Sequence, residues 1–264
     1  AGSAAGRADV DPPAGPVAGI GRGGVLRARE DQQRLQEHRA EGLIVFPVHD
    51  WDLNSEVDHF LQLKLQRFPF VLVGKVENYG FDYVVSEEIE TAREIASGLI
   101  EQGHKDIAFF GASDTNRCII ERCQGIELEM EAHGLKMKPH HRVVFGDKWE
   151  ENIRKLLKAK DRPSAIVFVN DTIALMCMHV IRELGFKLPD ELAIATFGDN
   201  IWSQYLTPPL TTTKDHNAEV AEASFDLLQK RIENPQLPPM HRIIPQDVIW
   251  RESTGAPNMT AAKK

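Results

Sequence analysis

"SAIVFVNDTIALM", Ser164 to Met176, runs a strand-favouring apolar stretch straight into Asn170-Asp171, and a helix-compatible apolar stretch follows with no loop between them. Asn and Asp at such a junction accept hydrogen bonds from the unpaired N–H groups of a first helical turn, so the pair marks a helix start. It is also where open α/β sheets hold ligands, in the crevice outside the carboxyl ends of their strands. The stretch therefore reads as one strand-to-helix step of a parallel sheet. Its two polar side chains could cap the helix, bind a ligand, or divide these tasks.

Working outward, apolar strands alternate with helices that stop at glycine. A polar, helix-like segment "EDQQRLQEHRAE" leads into strand "GLIVFPV", then a helical region through "DHFLQLKLQ" and strand "FPFVLVGK". After "YVVSEE" a helix from Ile89 to Glu101 stops at Gly103, and strand "DIAFFG" follows. A helix from Thr115 to His133 stops at Gly134, and "RVVFG" with helix "WEENIRKLLKA" leads to the opening stretch, whose helix runs to Leu184 and Gly185. Glycine just past a helix supplies a left-handed C-cap. Alternation of this kind builds an α/β fold in which helices cover both faces of a parallel sheet.

After strand "ELAIATFG" the pattern changes. "TPPLTTTKDH" reads as a loop or crossover, followed by a helix to about Glu233 and two short strands, "HRIIP" and "DVIWR". A chain that returns late to an earlier layer predicts two doubly wound parallel-sheet lobes. The expected division is 25–85 with 217–243 for the first, 86–216 with 244–254 for the second, and a tail at 255–264.

Composition removes several function classes. Residues 1–24 are rich in Ala, Gly and Pro and cannot bury much apolar surface. Within them "GIGRGG", Gly19 to Gly24, matches the dinucleotide fingerprint, but that motif needs a preceding strand and a following helix. The residues before it are Pro- and Gly-rich with no apolar run long enough for a strand, so no cofactor is expected. Thirty-one Lys and Arg against 39 Asp and Glu give a net charge of −8, unsuited to general contact with a phosphate backbone. No apolar run has the length of a membrane span and no signal peptide opens the chain, which predicts a cytoplasmic protein. Its three cysteines, Cys118, Cys123 and Cys177, fit reduced thiols, and its ten histidines show no ligand spacing, so no metal is expected. The nucleophile elbow G-x-S-x-G, the zinc motif H-E-x-x-H and the phosphate loop are absent, which argues against an enzyme.

Four stretches together resemble one family: "EGLIVFPV"; "GHKDIAFFG" with "RCQG"; "PSAIVFVNDTIAL" through "LGFKLPDELAIATFGDN"; and "PPLTTT" with "IPQDVIWREST". From Arg29 to Thr254 the chain is similar to the effector-binding core of the lactose-repressor/galactose-repressor regulators. The resemblance implies a periplasmic-binding-protein-like fold with three crossover strands and a small sugar or sugar phosphate bound between the lobes. It also implies a homodimer whose separate N-terminal helix-turn-helix headpiece binds operator DNA. Effector binding would change the lobe angle and with it the headpiece spacing, which must match half-sites about one helical turn apart. Family members carry further core residues ahead of the segment matching Arg29–Glu41, including a first strand and its helix. The first lobe is therefore expected to be short at its N-terminus, and DNA contact to depend on a headpiece absent from this sequence. A sugar-uptake receptor of the same fold is the alternative, and a sugar-processing enzyme a more distant one.

The resemblance also nominates ligand-binding residues. Arg122 matches the arginine of the family's R-x-x-G element, completed by Gly125; a guanidinium offers a planar fork of donors. On spacing alone it would be a solvated helix arginine paired with Glu121 or Glu129. Asn170 matches an effector-contacting asparagine, whose amide both donates and accepts, and Asp171 would then cap the helix. In "TFGDN" the family's sugar-binding aspartate falls on Gly198 and its neighbour on Asp199. Loss of that carboxylate beside Arg122 would suit an anionic ligand, as in members whose effectors are phosphorylated sugars. His49 and Asp50 follow "GLIVFP" at a strand's carboxyl end. Trp149 could stack on a sugar ring or simply pack. Asn116 takes a polar pocket position, and Cys118 stands where relatives have Ser or Thr.

Overall fold

The computed structural model describes residues 40–47, 53–76 and 78–255. The leader, residues 30–39 of the polar segment, the tail beyond 255, and the candidates His49 and Asp50 lie outside the described residues. In chain order the elements are β1 (Leu43–Val45), α1 (Leu53–Leu65), β2 (Phe70–Val73), β3 (Tyr83–Ser86), α2 (Glu88–Glu101), β4 (Ile107–Ala112), α3 (Arg117–Ala132) and β5 (Arg142–Val144). There follow α4 (Trp149–Lys158), β6 (Ala165–Phe168), α5 (Asp171–Glu183), β7 (Ala193–Ala195), β8 (Thr212–Thr213), α6 (Asn217–Glu233), β9 (His241–Ile244) and β10 (Val248–Ile249).

Among the described residues two parallel four-stranded sheets result, in the orders β1-β2-β3-β9 and β5-β4-β6-β7. This is the two-lobed α/β architecture expected. In the first sheet, alternation along β2 sends Phe70 and Leu72 to one face, against Phe60 of α1 and Phe81. Val71 faces the other way and packs with Val84 under Leu227 and Leu228 of α6. In the second sheet β4, β6 and β7 are buried at every residue, as strands covered on both faces must be. Helices α2, α3 and α5 stop just before Gly103, Gly134 and Gly185, whose positive φ of 96°, 70° and 84° L-residues adopt at a cost. Among the described residues no helix is long and apolar enough to cross a membrane.

The segment read as loop or crossover contains a strand too short to show in sequence. Thr212–Thr213 pairs antiparallel with Val248–Ile249. Within the described residues the chain passes between the sheets three times, from β3 to α2, from β8 to α6 and from β9 to β10. Hydrogen bonds tie these passages together. The Glu87 N–H donates to the Ile244 carbonyl at 2.9 Å, and the Lys214 N–H to the Asp247 carbonyl at 2.8 Å. The Asp247 N–H in turn donates to His216 Nε2 at 3.3 Å. Far from the passages, Arg231 of α6 pairs bidentately with buried Asp82, Nε to Oδ2 at 2.7 Å and Nη2 to Oδ1 at 2.8 Å. Asp82 Oδ1 also accepts the Met240 N–H at 2.8 Å, so one carboxylate fastens both α6 and the approach to β9 onto the first sheet.

Candidate functional site

Strands β4 and β6 lie side by side, Phe110 opposite Phe168, and the Val169 N–H extends the pairing to the Phe110 carbonyl at 2.9 Å. Their carboxyl ends therefore set the first turns of α3 and α5 next to one another. Asn116 caps α3, its side chain accepting the Ile119 N–H at 3.3 Å. Asn170 caps α5, accepting the Ile173 N–H at 2.9 Å. The helix-capping task falls to Asn170 and not, as expected, to Asp171. A cap requires extended backbone, which Asn170 has at φ −159° and ψ 168°, whereas Asp171 already lies in the first turn. The exposed Asn170 amide nitrogen has no partner among the described residues, so its donors remain for a ligand.

Asp171 is fully buried and does something else. Its Oδ2 accepts the Asn200 N–H at 2.8 Å and the Ser203 hydroxyl at 2.5 Å, while Oδ1 accepts the Thr212 hydroxyl at 3.2 Å. Burial raises its carboxyl above the usual carboxylate range, against the opposing pull of these bonds. It thus holds the loop after β7, and β8 behind it, onto the start of α5.

Arg122 projects from α3 into this region. Neither partner suggested by spacing is used: Glu121 pairs with Arg117 at 2.6 Å and Glu129 with Arg93 at 3.0 Å. Instead Arg122 Nε donates to Glu88 Oε2 at 2.6 Å, Nη2 to Glu88 Oε1 at 3.3 Å, and Nη1 to the Val169 carbonyl at 2.7 Å. Its guanidinium also lies over the Phe197 ring, 4.5 Å from the centroid. Gly125 makes this possible. A Cβ there would stand 2.4 Å from the Ile89 carbonyl oxygen and 2.7 Å from Ala92 Cβ, so only glycine lets α3 press against α2 closely enough to bring Arg122 to Glu88.

Glu88 was not anticipated. It opens α2 directly after the first inter-sheet passage, and Gln246, in the third passage, donates from Nε2 to its Oε1 at 3.2 Å. The carboxylate that Gly198 lacks thus has a counterpart from another element. Gly198 indeed carries none, but Glu88, 34 residues before the arginine, supplies one.

The remaining candidates follow other strands at the same edge of the sheet. Asp199 pairs bidentately with Arg251, at 2.8 and 3.0 Å, and Arg251 also reaches the Leu210 carbonyl at 2.9 Å. Its carboxylate is thus already engaged. Trp149 is half-buried at the start of α4 and stacks on Phe145 at 6.2 Å between centroids, packing against the core. Cys118 is half-buried, its thiol pushed up to about 12 by burial despite the nearby Arg122. Among the described residues no group of three or more His, Cys, Asp or Glu could hold a metal ion.

A model of the periplasmic binding protein-like domain matches residues 96–254. The lactose operon repressor of Rhizobium radiobacter is 34% identical over 108 residues, 41% of this chain and 95% of that protein. The repressor PurR of Vibrio vulnificus is 25% identical over 220 residues, 81% of this chain and 64% of its own length, so the chain spans just under two thirds of that relative. A regulatory protein from Chloroflexus aggregans, described as of the LacI family, superposes with a TM-score of 0.77 at 26% identity, covering 87% of this chain and 83% of its own.

Proposed function

The chain belongs to the periplasmic binding protein-like lactose-repressor/galactose-repressor family, and from that premise we propose that it is the effector-sensing and dimerisation core of a bacterial transcriptional regulator. A small sugar-like effector binds between the two lobes and sets the affinity for operator DNA of a headpiece outside this sequence. The protein is a sensor and not an enzyme, working in the cytoplasm. The lobes divide as 25–85 with 217–243 and 86–216 with 244–254.

The observation that carries this reading is the convergence of two donor sets at the carboxyl ends of β4 and β6. Arg122 donates to the carbonyl of Val169, the residue just before Asn170, beside the passages that join the sheets. A ligand seated there touches Arg122, whose partner Glu88 follows directly on Glu87, the residue whose N–H ties two of the passages together. A coupling of roughly 1–3 kcal/mol between that site and the headpieces is enough to change occupancy usefully. Asn116 and Trp149 border the site, while Asp199 would join it only by giving up Arg251.

The test is thermal unfolding with a panel of sugars, their phosphates and purines near millimolar. A ligand at a hundred times its Kd adds about 2.7 kcal/mol, which for a chain of this size raises the midpoint by roughly 5–10 °C. The reading requires a rise with one compound that Asn170→Ala and Arg122→Ala each abolish. A sharp transition that none of the panel moves counts against it.

A further inference from the structure

Arg122 has the position of an anion receptor but not the charge of one. A guanidinium carries five N–H groups, and three of them are committed: Nε and Nη2 to Glu88, Nη1 to the Val169 carbonyl. The two remaining, one on each terminal nitrogen, can donate to a ligand. The pair is secluded, with 17% of the arginine side chain and 8% of the glutamate side chain exposed. Gln246 completes the second oxygen of the carboxylate, and Glu88 sits in the first turn of α2, where a helix favours negative charge. The carboxylate is thus held from three sides. The buried Asp171 carboxylate is a second negative charge acting on the same guanidinium.

We propose that Glu88 is a specificity-determining residue that neutralises Arg122 and so restricts the site to uncharged, hydroxyl-bearing ligands. This deepens the sensor reading and rests on it. A neutral polyol can accept from the two free N–H groups while the Glu88 pair stays intact. A phosphate or carboxylate must either sit against the Glu88 oxygens or displace them, and displacement strands a buried carboxylate without its partner. A like charge at this range disfavours an anion.

The experiment uses inorganic phosphate as the probe, titrated by calorimetry at constant ionic strength into the wild-type chain, Arg122→Met, Glu88→Gln and the Glu88→Gln/Arg122→Met double variant. Glutamine removes the charge and keeps one acceptor oxygen for Arg122, its NH2 replacing the other. The wild type is expected to show no saturable binding. Glu88→Gln should gain a saturable site at least about tenfold tighter than the limit set by the wild-type titration, lost again in the double variant. Saturable wild-type binding that Arg122→Met abolishes overturns the proposal, and this arm does not depend on how Glu88→Gln folds. A cooperatively folded Glu88→Gln that gains nothing also overturns it. The sugar panel separates the two readings. If no sugar binds while the phosphate results are as expected, the exclusion of anions by Glu88 stands, but the sensor assignment and the preference for hydroxyl-bearing ligands are lost. If a sugar phosphate binds the wild type more tightly than its parent sugar, the sensor assignment stands and the role of Glu88 is lost.

Discussion

Gly125 of α3 touches the backbone of α2 at Ile89: a side-chain carbon at position 125 would stand 2.4 Å from the Ile89 carbonyl oxygen. Gly125→Ala therefore forces the two helices apart. Alanine gains about 1 kcal/mol of helix propensity, but overpacking against a backbone oxygen costs about 1–3 kcal/mol and cannot be relieved by rotating a side chain. The expected outcome is a net loss of stability in urea unfolding together with weaker effector binding, because Arg122 moves with α3. Unchanged binding would show that the arginine's placement does not depend on this contact.

The Asp82–Arg231 pair gives a second test, remote from the ligand. Asp82→Ala leaves Arg231 without its charge partner and the Met240 N–H without its acceptor. Loss of one half of such a pair costs about 3–5 kcal/mol, and the fall should register in the first lobe. Adding Arg231→Met should recover part of that loss, since the stranded charge goes with it. Additive losses from the two changes would contradict the pairing.

His104 and His141 predict an acid-sensitive fold. Burial lowers both below the ordinary value near 6.5, an effect opposed at His141 by its Nε2–H bond to the Asp161 carbonyl. Below about pH 6.5 the unfolded chain takes up protons that the folded chain refuses. Their contribution is thus complete above 6.5 and is lost as pH falls through the folded values. Urea midpoints measured from pH 7.5 to 5 should decline, and His141→Gln should flatten that decline. Parallel curves for the two proteins would exclude His141 from the effect.

The cysteines should be sluggish nucleophiles. Burial pushes Cys118 and Cys177 up to about 12 and Cys123 up to about 11, so little thiolate exists at pH 8. A chromogenic disulfide reagent should label the native chain slowly and all three thiols promptly in urea. Rapid labelling of native Cys118 would mean that Arg122 is less neutralised than its contacts with Glu88 imply.

How much of this could be read in advance depended on the range of the interaction. The βα alternation, the glycine stops and the parallel sheets were legible because they arise from periodicity within a few residues. The positions of Arg122, Gly125 and Asn170 beside the strand ends were legible through motif resemblance. Glu88 was invisible, since nothing local marks a glutamate as the partner of an arginine on another helix. The Asp199–Arg251 pair was hidden for the same reason. At Asn170-Asp171 both residues suit a cap, and only the backbone angles decide which one serves. A two-residue strand such as Thr212–Thr213 is too short for any pattern to show.

The interleaving of the two sheets has a consequence during synthesis. Every strand of the sheet β5-β4-β6-β7 lies between residues 107 and 195 and leaves the ribosome as one run. The other sheet begins earlier but finishes last, because α6 and β9 end at 233 and 244. Until they emerge, Val71 and Val84 have no α6 to cover them and β3 lacks its outer neighbour. The nascent chain thus carries an open apolar sheet from the completion of β3 until β9 emerges, a state prone to aggregation. The first-made lobe is the last to close, and its need for chaperone shelter should be greatest just before β9 emerges.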